Sequence, residues 1–271
     1  MPELLEVETA RQALADLALG RTIAAVEAPD AWYLKRGLTA PVLRAALPGR
    51  RFVSARRRGK LLLLDTTPAA GDQPGVPDGP TLALHLGMTG RIIVDGHPAG
   101  NALLYASDRA HAAWDRFTVR FVDGGFVGLR DPRRLGAVEL DPDEDRLGVD
   151  AASLTAGDLH ASLPRRRGPI KAVLMDQSHI AGLGNLLADE ILWRSAIDPA
   201  RPASSLTAEE RRRLARSVRT TLRVLGRRGG SHTGDLMPER QRDGRCPLDG
   251  AALRRDTIGG RTSYWCPRHQ R

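Results

Sequence analysis

Apolar residues near the start of the chain recur at helical spacing. Leu4, Val7, Ala10, Leu14 and Leu17 lie three or four residues apart, and a glycine follows at position 20. Such intervals place side chains on one face of an α-helix, and glycine favours its end. The pattern predicts an amphipathic helix over residues 3–19.

The period changes after this helix. Between residue 22 and about residue 140, apolar residues form short or alternating runs, separated by Gly-, Pro- and Asp-rich turns such as the loop at 68–80. Runs of this kind are typical of a β-sandwich or barrel. Strands are predicted at 23–26, 61–65, 81–86, 91–94, 102–106, 117–121 and 126–129.

The remainder of the chain has a helical period and a short tail. An acidic stretch at 141–145 precedes predicted helices at 155–162, 170–176, 184–195 and 207–225. Thr207 with Glu210 fits a capping box, and the last helix is expected to end at the glycines Gly226 and Gly229–Gly230. The pattern predicts an α+β chain of two domains: a β-domain at 1–140, a linker at 141–151, a helical domain at 152–230 and a terminal hairpin at 240–271.

The charge is unevenly divided between the two halves. The chain carries a formal net charge of +9, with 22 Lys+Arg against 12 Asp+Glu in residues 151–271 and 19 against 20 in residues 1–150. A basic half indicates a polyanionic partner such as DNA. There is no apolar run of about 18 residues, and acids at 3, 6 and 8 argue against a signal peptide. A cytoplasmic protein, away from membranes, is therefore expected.

The tail contains two pairs of metal-binding residue types. Cys246 and Asp249 form one pair, Cys266 and His269 the other, and sixteen residues separate the pairs. This is the layout of a zinc hairpin, although Asp is a less common ligand in structural sites. A short tail also needs such a staple to fold. A metal-free hairpin with two free thiols remains the alternative.

Three other segments have both a functional and a structural interpretation. The Gly-rich turn before Asn185 would expose backbone N–H groups that bind a phosphate, or it is an ordinary helical turn. The basic run at 56–60 precedes the strand at 61–65. It either places the charge of Lys60 for a function or is an ordinary solvated surface. Met88 and Leu135 lie in Gly-bounded turns. Each either has a function or is an ordinary residue of the core.

Together these segments resemble one family. The start Met1-Pro-Glu-Leu-Leu-Glu-Val-Glu-Thr9, and the segments RRGK, HLGMTG, DPRRLG, QSHIAGLGN and GRTSYWCP, occur in the same order in the formamidopyrimidine-DNA glycosylase/endonuclease VIII family. The resemblance spans essentially the whole chain. It implies a β-sandwich, a helix–two-turn–helix domain and a zinc-finger hairpin, with damaged duplex DNA as partner of a monomeric enzyme.

The resemblance also implies catalytic residues. Once Met1 is removed, the amine of Pro2 would attack C1′ of the damaged nucleotide. An α-amine has a pKa of about 7.7–8.0, which leaves a reactive neutral fraction at pH 7. Glu3 would be the general acid/base at the sugar and Glu6 a nearby positioning carboxylate. Their alternative role is to offset the dipole of a helix first turn.

DNA contacts follow from the same resemblance. Phosphates flanking the lesion would be held by Lys60, Asn185 and Arg261. Met88 and Leu135 would fill the space left by the flipped-out base as apolar wedges. Arg133 would face the orphaned base.

The chain departs from the family at five places. Leu5 stands where a second Pro is usual, Leu135 where Phe is common, and Asp249 and His269 where Cys is usual; the segment at 229–236 is also short. Three hypotheses therefore stay open. The first is a glycosylase and lyase for oxidised or ring-opened bases. The second is a narrower repair enzyme, acting on an unusual adduct or only on abasic sites. The third is a DNA-binding protein without catalysis.

Overall fold

The structure is a computed structural model that describes residues 2–67, 79–100 and 111–271. The predicted strand at 102–106 and most of the loop at 68–80 lie outside the described residues. The chain divides into two compact units. The sandwich unit contains Pro2 and Glu6–Glu144; the helical unit contains Glu3–Leu5 and Asp145–Arg271.

Six α-helices lie within the described residues. They are α1 (Leu4–Leu17), α2 (Ala40–Ala46), α3 (Ala156–Ser162), α4 (Ile170–Met175), α5 (Asn185–Arg194) and α6 (Ala208–Arg228). Five of them coincide with predicted helices. The exception is α2, which buries only Leu43 and, unlike α3, has no side-chain cap at its start to mark it.

Thirteen strands complete the described part of the fold. They are β1 (Ile23–Glu27), β2 (Phe52–Arg58), β3 (Leu61–Thr66), β4 (Thr81–His85), β5 (Arg91–Val94), β6 (His97–Pro98), β7 (Asp115–Phe121), β8 (Phe126–Arg130), β9 (Ala137–Leu140), β10 (Val149–Asp150), β11 (Ile180–Ala181), β12 (Arg254–Ile258) and β13 (Arg261–Trp265). The six predicted strands that fall on described residues are all present.

Two antiparallel sheets form the sandwich unit. Their strand orders are β1-β7-β8-β5-β6 and β2-β3-β4-β9. Phe52 of β2 and Phe121 of β7 meet edge to face, with ring centroids 6.1 Å apart. Helix α1 adds Val7, Ala10 and Leu14 to the same apolar core. The predicted β-sandwich is confirmed, and burial of its alternating inward-facing side chains stabilises it.

The basic run at 56–58 belongs to a strand instead of preceding one. Arg56 pairs with Leu63, Arg57 with Leu62 and Arg58 with Leu61. Only Gly59 and Lys60 form the turn into β3. Strand β2 lies at the edge of its sheet, where half-exposed charged side chains are tolerated, so its sequence has no clear apolar alternation.

The helical unit has a separate core into which Leu4 and Leu5 are packed. Helix α6 begins with the predicted capping box of Thr207 and Glu210. Of the glycines predicted to end it, Gly226 lies within the helix and Gly229 caps it. The helix continues to Arg228 and ends at Gly229, whose φ of 105° is the left-handed conformation that glycine adopts at helix ends.

Two small sheets complete the helical unit. Strands β10 and β11 pair in parallel, and β12 and β13 form the C-terminal hairpin. Among the helices of the described residues, none has the length and hydropathy needed to cross a membrane.

Candidate active site and metal centre

Glu3 has a fully buried carboxylate in the helical unit. It accepts hydrogen bonds from the backbone N–H groups of Gly184 at 2.8 Å, Leu186 at 2.8 Å and Leu187 at 3.2 Å. These donors surround the start of helix α5, where the helix dipole favours a negative charge. A phosphate site was one of the two interpretations that the sequence left open for these N–H groups. It is wrong for these three, because Glu3 already binds them.

Glycine at position 184 makes this approach possible. A Cβ atom there would lie 2.4 Å from Cδ of Glu3, well inside van der Waals contact. The backbone also fixes the start of α1, since Leu4 N–H donates to the carbonyl of Gly182 at 3.1 Å. The Gly-rich turn therefore holds the Glu3 carboxylate in one position.

Asn185 is the first residue of α5 and is half-buried. Its side-chain oxygen is buried and has no hydrogen-bond partner among the described residues. A buried amide without a full set of partners is costly unless a ligand or water completes it. Asn185 therefore remains a candidate ligand-binding residue beside the occupied helix terminus.

Met88, Arg133 and Leu135 lie in two turns of the sandwich unit. Their side chains are all exposed; the exposed fraction is 38% for Met88 and 46% for Leu135. Neither Met88 nor Leu135 is therefore a core residue. Large apolar side chains that stay in water at loop tips are suited to contact a partner.

Both turns are fastened to one buried carboxylate, that of Asp131. It accepts from the hydroxyl of Thr89 at 2.6 Å and the hydroxyl of Tyr33 at 3.1 Å. It also accepts from the N–H groups of Arg133, Leu135 and Gly136, at 2.8–3.2 Å. We call this arrangement the Asp131 cluster. Sequence reasoning missed it, although an Asp that opens a turn often binds the N–H two residues on.

The protonation of Tyr33 agrees with this arrangement. Burial and the neighbouring Asp131 carboxylate raise the pKa of Tyr33 far above its usual value. The phenol is therefore neutral and donates its proton to Asp131.

Pro2, Glu6 and Lys60 also belong to the sandwich unit. Pro2 lies two residues before the start of α1, Glu6 lies in the first turn of α1, and Lys60 is half-buried in the β2–β3 turn. The ion pair between Glu8 of α1 and Arg57 of β2, at 3.1 Å, joins the helix to the strand that leads into this turn.

Arg261 is exposed at the start of β13. Its hairpin is anchored by Lys171, a fully buried residue of α4. The ammonium of Lys171 donates to the Ser263 hydroxyl at 2.6 Å and pairs with Asp189 of α5 at 2.7 Å. Burial lowers the pKa of Lys171, and Asp189 opposes that effect. Sequence reasoning missed this anchor because its members are far apart in the chain.

The four predicted metal ligands are brought together. Their donor atoms all lie within 4.8 Å of one another, and they come from Cys246, Asp249, Cys266 and His269. The distance from Nδ1 of His269 is 3.6 Å to the Cys246 sulfur and 3.3 Å to the Asp249 carboxylate. A tetrahedral zinc ion with bonds of about 2.0–2.3 Å separates its donors by roughly 3.3–3.8 Å. The donor set therefore fits a metal ion.

Trp193 of α5 supports two of these ligands. Its indole N–H lies 3.3 Å from the Cys246 sulfur, and its carbonyl lies 3.2 Å from Nε2 of His269. A proton on Nε2 leaves Nδ1 as the ligand atom, which is the usual way in which surrounding groups orient a metal-binding histidine.

The chain is similar to known proteins along its whole length. Residues 1–138 match the formamidopyrimidine-DNA glycosylase N-terminal domain, and residues 147–235 match the formamidopyrimidine-DNA glycosylase H2TH domain. The formamidopyrimidine-DNA glycosylase of Paracoccus denitrificans is 35% identical, over 98% of this chain and 99% of that protein. That of Nocardia farcinica is 33% identical, over 100% of this chain and 98% of that protein.

Solved structures agree with the sequence comparison. The Lactococcus lactis Fpg in complex with abasic-site DNA has a TM-score of 0.80 and 26% identity, covering 100% of both chains. A complex of the same protein with FAPY-dG DNA also has a TM-score of 0.80 and 26% identity, covering 99% of this chain and 100% of that chain. The fold is thus that of a DNA-repair glycosylase. The chain belongs to the formamidopyrimidine-DNA glycosylase family, which confirms the resemblance stated from the sequence.

Proposed function

We propose that the protein is a bifunctional DNA glycosylase and abasic-site lyase of base-excision repair. Its substrate is duplex DNA containing oxidised or ring-opened bases, or abasic sites, and it acts as a monomer in the cytoplasm at the nucleoid. The observation that carries the proposal is the Glu3 carboxylate, buried and held by three N–H donors one residue after Pro2. The complexes of the Lactococcus lactis relative with abasic and FAPY-dG DNA support the substrate class.

In the proposed reaction the nitrogen of Pro2 attacks C1′ of the damaged nucleotide. A C–N bond forms, the bond to the base breaks, and the base leaves with the bonding electrons and takes a proton from water. Glu3 takes the proton lost by the Pro2 nitrogen and delivers it to the ring oxygen of the sugar as the ring opens. Because Pro2 is a secondary amine, the product is an iminium ion. Loss of a proton from C2′ then expels the 3′ phosphate, and a further elimination can expel the 5′ phosphate. Glu6 helps to position the reacting groups.

The remaining site residues are proposed to hold the DNA. Lys60, Asn185 and Arg261 bind the phosphates on either side of the flipped-out nucleotide. Fixed backbone contacts of this kind offset the few kcal/mol lost by unstacking a base. The position of Asn185 at the start of α5, where its side-chain N–H groups can donate to a phosphate, and the exposed position of Arg261 support these roles.

The two turns of the Asp131 cluster are proposed to enter the vacated space. Met88 and Leu135 act as wedges, and Arg133 faces the orphaned base. Residues 1–140 would form the catalytic domain, 141–151 a linker, 152–230 the helix–two-turn–helix domain and 240–271 the finger.

We also propose that the metal at the terminal hairpin is zinc. Cys246, Asp249, Cys266 and His269 would hold it, with two thiolates and one imidazole as the favoured donors. Zinc supplies a structural cross-link and takes no part in bond breaking. About one equivalent of zinc in the purified protein, lost in the Cys266→Ser variant, is the expected result.

Borohydride trapping tests the enzyme proposal. With an abasic or lesion-bearing duplex, borohydride reduces the iminium and leaves a stable protein–DNA adduct, whose peptide mass should place the DNA on Pro2. A variant with two extra residues before Pro2 converts the amine into an amide and should give no adduct while still binding DNA. An adduct of unchanged yield in that variant would show that another nucleophile acts.

A further inference from the structure

Trp32 is the most exposed aromatic residue described in the sandwich unit. Its exposed fraction is 66%, in a 3-10 turn at Ala31–Tyr33. A solvated indole exposes a large apolar surface, and tryptophan is enriched where proteins contact partners. Neither the proposed catalysis nor the core uses this side chain.

The turn that carries Trp32 is fastened on both sides to the loop that carries Arg133 and Leu135. Before Trp32, Asp30 forms a two-bond ion pair with Arg134, at 2.6 and 2.7 Å. After Trp32, the hydroxyl of Tyr33 donates to Asp131 at 3.1 Å. The turn that carries the indole is therefore fastened to the Asp131 cluster, which also holds the turn of Met88.

Lys35 gives this position a charge. Its ammonium donates to the carbonyl of Trp32 at 2.6 Å and lies 4.4 Å from the centroid of the indole ring. A cation over an indole ring is attracted to it. The same ammonium can also bind a phosphate. The pair thus combines an aromatic surface with a positive charge, the two features of surfaces that bind unstacked nucleotides.

We propose that Trp32 and Lys35 form a nucleobase-binding platform beside the wedge turns. The inference rests on the proposed function, in which Met88 and Leu135 open the base stack. A base that loses its neighbour at the lesion stacks on the indole, and Lys35 binds the adjoining phosphate. Leu135 offers no aromatic surface, so Trp32 supplies the stacking partner from a neighbouring turn.

Binding without chemistry tests this platform. The probes are a duplex with a tetrahydrofuran abasic analogue, which cannot react, and the same duplex undamaged. Loss of one stacking partner weakens binding by about 5- to 100-fold. We expect that loss for Trp32→Ala on the abasic duplex only. Trp32→Phe keeps an aromatic ring and should retain most of the affinity, whereas Trp32→Leu keeps apolar bulk and should behave as Trp32→Ala.

Val122→Ala is the matched control, because Val122 is a 69% exposed apolar residue of the same unit. It should bind both duplexes as the wild type does. Wild-type affinity in Trp32→Ala, an equal loss on both duplexes, or full affinity in Trp32→Leu would each overturn the platform. Trapping of the wild type on a natural abasic duplex decides the proposed function separately, since the tetrahydrofuran duplex reports binding alone.

Discussion

Glu3 shows how one residue meets a structural and a chemical demand together. Its carboxylate completes the first turn of α5 through three backbone N–H groups. The same carboxylate is the proposed acid/base. Substituting Glu3 itself would remove the helix cap and the acid together, so a change beside it separates the two roles better.

Gly184→Ala is such a change. The added Cβ would lie 2.4 Å from Cδ of Glu3, so the carboxylate must move. We expect the rate of base excision to fall by about 10²-fold or more, the usual contribution of a positioned acid/base. The strain should lower the free energy of unfolding by about 1–3 kcal/mol. Single-turnover cleavage and urea unfolding measure the two effects.

Gly226→Ala provides the control for that prediction. Gly226 lies within α6, and its added Cβ would have Leu5 as nearest neighbour at an ordinary 3.5 Å. Alanine in a helix is favoured over glycine by about 0.5–1 kcal/mol. This variant should be slightly more stable and as active as the wild type. A Gly184→Ala enzyme with undiminished excision would contradict the role given to the fixed Glu3 carboxylate.

The sequence did not predict the residues whose function depends on partners distant in the chain. The metal ligands were predictable because their spacing in the chain is itself the signal. Asp131 and Lys171 were not, because each acts through side chains that lie far away in the sequence. Lys171 also lies in an apolar helical run, IKAVLM, where nothing local shows that its ammonium is buried.

At the scale of elements, the spacing of apolar residues predicted a helix or strand where one face of the element is buried and the other is exposed. The edge strand β2, with three consecutive arginines, and the seven-residue α2 lack that contrast. Helix α6 continues past Gly226 and ends at Gly229, whose left-handed backbone caps it. A glycine within a helix costs about 1 kcal/mol, which packing over 21 residues readily offsets.

The cap of α6 predicts a dependence of stability on pH. Arg201 binds the Glu210 carboxylate at 2.7 and 3.0 Å, and these bonds lower the pKa of Glu210 from 4.5 to about 2. A depressed pKa stabilises the folded state above pH 4.5, and the effect is lost as the pH falls from 4.5 towards 2. The carboxylate is 17% exposed, so the stabilisation at pH 7 is about 2–3 kcal/mol.

Glu210→Gln should therefore lower the free energy of unfolding at pH 7 by about 2–3 kcal/mol. The gap to the wild type should narrow as the pH approaches 3, which unfolding curves at several pH values will measure. Glu209→Gln makes the same change of charge at an exposed position in the same turn. Glu209→Gln should hardly change the free energy of unfolding at any pH. A loss equal to that of Glu210→Gln would argue against a stabilising ion pair between Arg201 and Glu210.

For the whole molecule, the division of charge is a prediction about DNA affinity. The excess of cations lies in residues 151–271, and Arg261 is exposed at the turn of the hairpin anchored by Lys171. Each phosphate neutralised by the protein adds about 0.9 to the slope of log affinity against log salt concentration. Arg261→Gln should therefore lower that slope by about one unit, measured by fluorescence anisotropy from 50 to 200 mM salt.

Arg242→Gln separates a specific phosphate contact from the effect of net charge. Arg242 and its neighbour Asp243 are 95% and 91% exposed, and the substitution removes one positive charge from the same domain. If Arg261 binds a phosphate, Arg242→Gln leaves the slope unchanged while Arg261→Gln lowers it. If the basic half attracts DNA only through its summed field, both variants shift the affinity equally and the slopes stay parallel. That second outcome would remove Arg261 from the phosphate-binding set, while the trapping chemistry of Pro2 would be unaffected.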